Sequence, residues 1–487
     1  MNRSWVVVVD NYDGLSKKGI ELVVGIISGY LSYVLPVKNV AQISEKELEE
    51  HDVILLGKYG NNPFLNICEK KEYIKNPKEE EGYSIFVGKN VFNSERQMIV
   101  VSGYDEKGLM YGCVDFCNKY CGTIAYERGY LYGENYFNEP FNVEMPKWSI
   151  SSAPAIKRRA IWTWGHVIYD YKKFFENMLK LRMNEVVIWN DCVPINANDV
   201  VAYAHSLGIK VIWGFAWGWT TKCESFAEML TNEKITEIKQ NILHTYESQY
   251  ENVGGDGIYF QSFTELNKDT VGGKCIAEIV TELVNEVSDI LLAKNPYLHI
   301  QFGLHATSVK THLEILKKVD KRISIVWEDC GAFPYAYNPN QIENFDETLS
   351  FTEKLLTLRK KDEMFGAVMK GMLNLDWQSF RHFSDSYILG AHTYSFMQER
   401  QHKKNKAWKI VQSAWLKNAK YAQKMLSVIA QQGINPIVEV LVEDAMFENQ
   451  LPFVTALFAE MLWNPNMDIN ETISVVASYP CVTFANI

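Results

Sequence analysis

Hydrophobic positions along the chain fall into short solid runs separated by longer stretches with helical spacing. The alternation is most regular from residue 157 onward. Apolar runs that read as buried parallel strands stand at 159–165, 185–191, 210–217, 257–265, 298–306, 323–329 and 365–371. Amphipathic patterns at 171–181, 197–207, 233–248, 276–293, 309–319 and 344–359 fall between them. With an eighth strand at 387–394, this βαβ repetition predicts a closed (β/α)8 barrel. A doubly wound sheet would also alternate, but normally with a glycine-rich first turn; here that turn is Trp162-Thr-Trp-Gly-His166.

The first 125 residues predict a small α/β domain, with strands at 5–10, 53–57, 83–87 and 98–103 and helices at 17–35 and 105–120. No GxGxxG or Walker pattern is present, so no cofactor is expected. Residues 126–154, rich in Tyr, Asn, Gly and Pro, read as a linker. The barrel is expected over 155–400, and 401–487 as a C-terminal helical region with helices at 405–431 and 451–462. Those helices have two available uses: packing on the barrel or forming a homodimer.

Composition narrows the function classes. Of the 487 residues, 47% are hydrophobic and 22% charged, an ordinary globular balance, and the net charge of −10 argues against a nucleic-acid surface. No apolar run is long enough to span a membrane, and the apolar stretch near the start is too short for a signal peptide. The nine cysteines include no CxxC pair, which points to a reducing, cytoplasmic compartment. Cys113, Cys117 and Cys121 share one helix face and read as packing groups. Aromatic residues are plentiful (13 Trp, 26 Tyr and 24 Phe) and suit flat sugar faces where they reach strand ends.

Several do so. If the strands form a barrel, their C-terminal ends converge on one mouth. Strand one brings Trp162, Trp164 and His166, strand two Trp189, Asn190 and Asp191, and strand three Trp217 and Trp219. Strand four brings Gln261, Thr264 and Glu265, strand five His305, and strand six Trp327, Glu328 and Asp329. Strand seven brings Lys370, with Asn374, Asp376 and Trp377 just beyond. Barrel interiors favour Val, Ile and Leu, so this recurrence of Trp and ionisable groups marks a ligand pocket.

Glycoside hydrolysis fits it best, because that reaction needs two carboxyl groups flanking the scissile bond. Glu265 and the Glu328-Asp329 pair stand on opposite sides of the mouth, and adjacent residues of a strand face opposite ways, so one of the pair faces the substrate. Asp191 and Asp376 are further carboxylates there; the tryptophans, Asn190, His166, His305 and Lys370 are expected to bind the sugar. A metal site built from His166, Asp191 and His305 is disfavoured, since neither HxH nor HExxH occurs. No GxSxG elbow is present.

The barrel resembles that of family 67 α-glucuronidases along residues 171–190, 204–211 and 257–265. In that family strand four ends in Asn-Ser-Glu-Gly-Gln with Glu as general acid; the matching stretch here is Phe263-Thr264-Glu265-Leu266-Asn267, so Glu265 alone carries over. The first domain resembles the one preceding the barrel in α-glucuronidases and family 20 β-hexosaminidases, along 83–88 and 98–112. Family 20 enzymes place Asp before the catalytic Glu, where this chain has Thr264. The resemblance implies an exo-acting O-glycosyl hydrolase with Glu265 as general acid; Glu328 or Asp329 is assigned as base by position. The alternative is a carbohydrate-binding protein on an inactive glycosidase scaffold.

Overall fold

The computed structural model describes residues 4–31, 33–121, 145–164, 168–190, 192–218, 228, 230–266, 268–305, 308–328, 345–372, 385–432, 435–442, 447–448 and 450–485, with the backbone alone at 164, 370 and 432. The N-terminal domain comprises β1 (Trp5–Val9), α1 (Ser16–Leu31), β2 (Val37–Asn39), α2 (Glu45–Glu50), β3 (Asp52–Lys58), α3 (Pro63–Lys70), β4 (Tyr83–Lys89), β5 (Gln97–Gly103), α4 (Glu106–Asp115) and β6 (Trp148–Ser152). The sheet order is β2-β1-β3-β5-β4-β6, with β2, β1, β3 and β5 parallel and β4 antiparallel to both its neighbours. Strand β6 lies inside the stretch expected to be a linker: the alternation of Trp148-Ser-Ile-Ser-Ser152 pairs with β4 as an edge strand. Cys113, Cys117 and Cys121 are buried, as their spacing implied.

A closed barrel of eight parallel strands follows. Its strands are β7 (Arg158–Trp164), β8 (Glu185–Trp189), β9 (Lys210–Gly214), β10 (Gly257–Gln261), β13 (His299–Leu304), β14 (Ile323–Trp327), β15 (Phe365–Met372) and β16 (Ile437–Val442). A two-stranded ribbon, β11 (Thr270–Val271) and β12 (Lys274–Cys275), interrupts the fourth unit. The helices between barrel strands are α5 (Tyr171–Lys180), α6 (Ala197–Ser206), α7 (Asn232–Thr245), α8 (Ile276–Lys294), α9 (Leu313–Leu316), α10 (Phe345–Leu356) and α11 (Tyr394–Gln432). The chain ends in β17 (Leu451–Pro452), α12 (Phe453–Trp463), α13 (Ile469–Ala477) and β18 (Val482–Thr483).

Three expectations change. The eighth strand is not 387–394 but β16, which closes the barrel between β15 and β7. Its run Ile-Val-Glu-Val-Leu-Val lies between strong helical patterns, within the region expected to be only helical. The described residues 385–391 instead run along the exit of β8, with Ile195 N donating to Tyr387 O at 2.9 Å and Asn196 bonding both backbone groups of Leu389. The fourth strand stops at Gln261; Phe263–Glu265 forms a short 3-10 turn because Phe263 folds back into the core against Gly218. Helix α9 covers four residues of the longer helix expected there.

Alternation divides each barrel strand between two environments. Trp162, Val187, Trp189, Ile212, Tyr259, Val326, Val368 and Leu441 pack together inside the barrel, while residues of opposite parity pack against the helices. A buried ionic junction ties the N-terminal domain to the barrel and the last helices. Arg182 contacts Asp115 at 2.8 Å, pairs with Glu460, and lies 4.4 Å from the Trp463 ring. Lys119 reaches Glu460 at 2.7 Å and Asp115 at 2.9 Å. Arg182 holds these partners from a left-handed backbone conformation (φ 56°).

Candidate active site

The lumen-facing parity carries past the apolar layer to the strand ends. Two residues beyond Val326 stands Glu328, two beyond Tyr259 stands Gln261, and two beyond Gly303 stands His305. All three are buried. The Glu328 carboxylate accepts hydrogen bonds from the Tyr259 hydroxyl (2.7 Å) and from Gln261 Nε2 (2.6 and 2.7 Å to its two oxygens), and His305 Nε2 lies 3.1 Å away. Donors from two further strands thus fix one carboxylate at the barrel mouth; buried carboxylates require such partners.

The surrounding residues explain the geometry. Gly303 is required opposite this group: a Cβ there would collide with Glu328 Oε1 and the Tyr259 hydroxyl. Tyr259 is wedged edge-on between Trp162 (5.8 Å, 71°) and Trp189 (5.9 Å, 70°), and the two indoles are 6.0 Å apart. The rings form a floor beneath the polar cluster. Thr264 braces its rim, accepting from His305 N at 3.1 Å through Oγ1 and from Ser308 N at 3.0 Å through its carbonyl. At the position where family 20 enzymes carry Asp, this chain therefore has a buried backbone brace.

Deeper in the lumen is a second carboxyl, Glu439 of β16. It is fully buried, and neither oxygen has a hydrogen-bond partner among the described residues. Burial, reinforced by Glu185 and Glu328 against the opposing pull of Arg158, pushes its carboxyl well above the usual range. Glu185 in the same interior is instead bound by Arg158 (2.6 and 2.8 Å) and by Gln301 Nε2 (2.7 Å). His299, at the base of β13, is pushed down to about 4 by burial and the nearby Arg158 and Lys210.

The expected site residues separate into groups. Trp162, His305 and Glu328 meet in the lumen. Trp217 and Trp327 do not: Trp217 stacks on Phe260 (3.5 Å, 7°) and Trp327 meets Phe351 edge-on (5.6 Å), both fully buried between strands and helices. Their parity turns them away from the lumen, which gives them packing roles. Asn190 is buried and hydrogen-bonds the Tyr387 side chain. Glu265 is exposed in the turn beyond β10, beside the buried Thr264. His166, Asp191, Trp219, Asp329, Asn374, Asp376 and Trp377 lie outside the described residues, as do the side chains of Trp164 and Lys370. Tyr259 was missed although it shares the parity of Gln261, and Glu439 was missed with its strand.

The fold is a (β/α)8 barrel with an α/β domain before it. Among solved structures, the chain is similar to the GH84 protein CpGH84B (12% identity, TM-score 0.55, covering 97% of this chain and 70% of that one). It is also similar to the GH20 β-N-acetylhexosaminidase of Streptomyces coelicolor A3(2) (10%, TM-score 0.51, 97% and 91%). A mutant Streptomyces plicatus β-hexosaminidase in complex with the product GlcNAc gives 10%, TM-score 0.52, and coverage of 100% and 93%. At these identities the shared property is the fold. No family profile and no curated protein matches the sequence. The hexosaminidase side of the resemblance is thus matched in fold, while the α-glucuronidase side rests on its sequence segments alone. No helix among the described residues is long and apolar enough to cross a membrane.

Proposed function

We propose that the chain is a glycoside hydrolase that removes a terminal sugar from an oligosaccharide. The observation that carries this reading is Glu328, a carboxylate held at the mouth of the barrel by Tyr259, Gln261 and His305. Trp162, Trp189 and Tyr259 fill the lumen beneath it. A sugar entering from the mouth meets this floor, which favours chain ends over internal bonds.

In this reading Glu328 acts on the anomeric carbon or its water, held in orientation by Tyr259, Gln261 and His305. Glu265, exposed at the rim, protonates the leaving oxygen. Asp191 and Asp329 are the rival carboxylates. The similar folds whose names record N-acetylhexosaminidase activity or bound GlcNAc make N-acetylhexosaminides the first substrates to try, with glucuronides second. The seven described cysteines form no disulfide, which supports a reducing, cytoplasmic compartment.

The test is a panel of aryl glycosides with wild-type protein, Glu265→Gln and Glu328→Gln. Turnover of one glycoside that both substitutions suppress is the expected result; turnover untouched by Glu328→Gln refutes the role. One observation favours a second reading, sugar binding without hydrolysis: protein groups already engage both oxygens of Glu328. Binding of a sugar with no turnover across the panel would select it.

A further inference from the structure

A cleft of about 270 Å³ lies between the first half of α11 and the C-terminal tail, outside the barrel. Its lining includes Gln398, Gln401, Asn405 and Gln450, together with His402, Trp408 and Phe484. Among the described residues that line it, none carries a carboxylate, ammonium or guanidinium group. Each carboxamide both donates and accepts, which matches the paired donor and acceptor character of sugar hydroxyls and gives no purchase to a charged ligand.

The aromatic groups are held in place. Phe484 is 47% exposed, and its ring is backed by Phe453 in a stack at 4.7 Å and 20°. The tail carrying it is clamped by Gln412, which bonds both Ala485 N (2.9 Å) and Ala485 O (3.1 Å), and by pairing of β18 with β17. Gln450 Oε1 accepts from Thr483 Oγ1 at 3.0 Å, which orients its amide. Trp408, which lines the cleft, is only 5% exposed, and its buried indole N–H has no partner among the described residues.

Position gives the cleft a use. Trp415 Nε1 donates to Gly371 O at 2.8 Å, which places that turn of α11 level with the C-terminal end of β15. The helix then runs down to β16, so residues 398–408 lie on the mouth side, about 10–25 Å farther along the helix axis at 1.5 Å per residue. We propose that this cleft binds an uncharged oligosaccharide and holds the distal part of a chain whose end enters the barrel. The second half of that statement rests on the glycosidase reading of the mouth; the first does not.

The test titrates N-acetylglucosamine hexaose, xylohexaose and cellohexaose separately into the full chain and into Phe484→Ala, Asn405→Ala and Glu328→Gln. Asn405→Ala is on a helix, where Ala is well tolerated. At least one hexaose should bind wild type, and binding should weaken at least about fivefold in Phe484→Ala and Asn405→Ala. Glu328→Gln should retain this binding, and Asn405→Ala should leave turnover of a short aryl glycoside unchanged. Absence of binding by all three hexaoses, or binding unaffected by Phe484→Ala and Asn405→Ala, overturns the proposal. Hexaose binding lost in those two variants, in a protein that hydrolyses nothing, would leave the cleft standing while the glycosidase reading fails.

Discussion

The junction between domains and the lumen of the barrel both bury carboxylates, and they satisfy them differently. At the junction, burial alone would raise Glu460, yet Arg182 and Lys119 draw it down to about 2, and the Tyr479 hydroxyl adds a bond at 2.8 Å. In the lumen, the described partners of Glu328 include two uncharged donors and a histidine, and Glu439 has no donor among the described residues. Carboxylates clamped by fixed cations are committed to holding the molecule together. A carboxylate oriented by a hydroxyl, an amide and an imidazole is the kind that the proposed glycosidase chemistry would use.

The contrast breaks most visibly at Arg182. Arg182→Met removes one of the two cations, the other being Lys119, that face the buried carboxylates Asp115 and Glu460, and should cost about 3–5 kcal/mol in denaturant unfolding. A loss below about 1 kcal/mol would mean that the junction does not couple the domains. Glu328→Gln should behave in reverse, with turnover falling by at least about 10²-fold while the unfolding midpoint moves far less than in Arg182→Met. Gly303→Ala tests the packing around that carboxylate. Its methyl group meets Glu328 and Tyr259, so a loss of about 1–3 kcal/mol is expected, with reduced turnover; unchanged activity would show that Glu328 tolerates displacement.

The most gradual effect is in the pH dependence, where Glu460 and Glu439 act with opposite sign. The folded pKa of Glu460 is depressed, so its stabilisation is present above the unfolded glutamate value of about 4.3 and disappears as pH falls toward about 2. The folded pKa of Glu439 is raised, so the native state keeps a proton the unfolded chain has lost, and stability declines as pH rises above about 4.3. Glu439→Gln should remove that decline and leave the acid limb unchanged. A Gln variant with the wild-type slope between pH 5 and 8 would show that Glu439 is ionised in the folded protein.

Much of this architecture was readable from the order of residues. Seven of the eight barrel strands were recognised because a strand buried on both faces reads as a solid apolar run. Glu265 and the Glu328-Asp329 pair stood out as candidate carboxylates because such residues rarely end an apolar run. Trp217 and Trp327 were misread because an apolar run gives no indication of which parity faces inward; the direction is set only when the sheet closes. Glu265 was placed on a strand because Phe263 continues the apolar run, although it folds back against Gly218.

By itself, then, the chain determined the alternation of strands and helices, the α/β domain ahead of the barrel, and the candidate carboxylates. These are local properties of spacing and residue type. Tertiary structure decided that Ile437–Val442 closes the barrel across a 39-residue helix. It also decided that Tyr259, Gln261 and His305 converge on Glu328, and that Glu439 lies in the same lumen without a donor among the described residues. Closure is a long-range pairing, and the choice of the lumen-facing parity follows from it. Short-range periodicity carries neither.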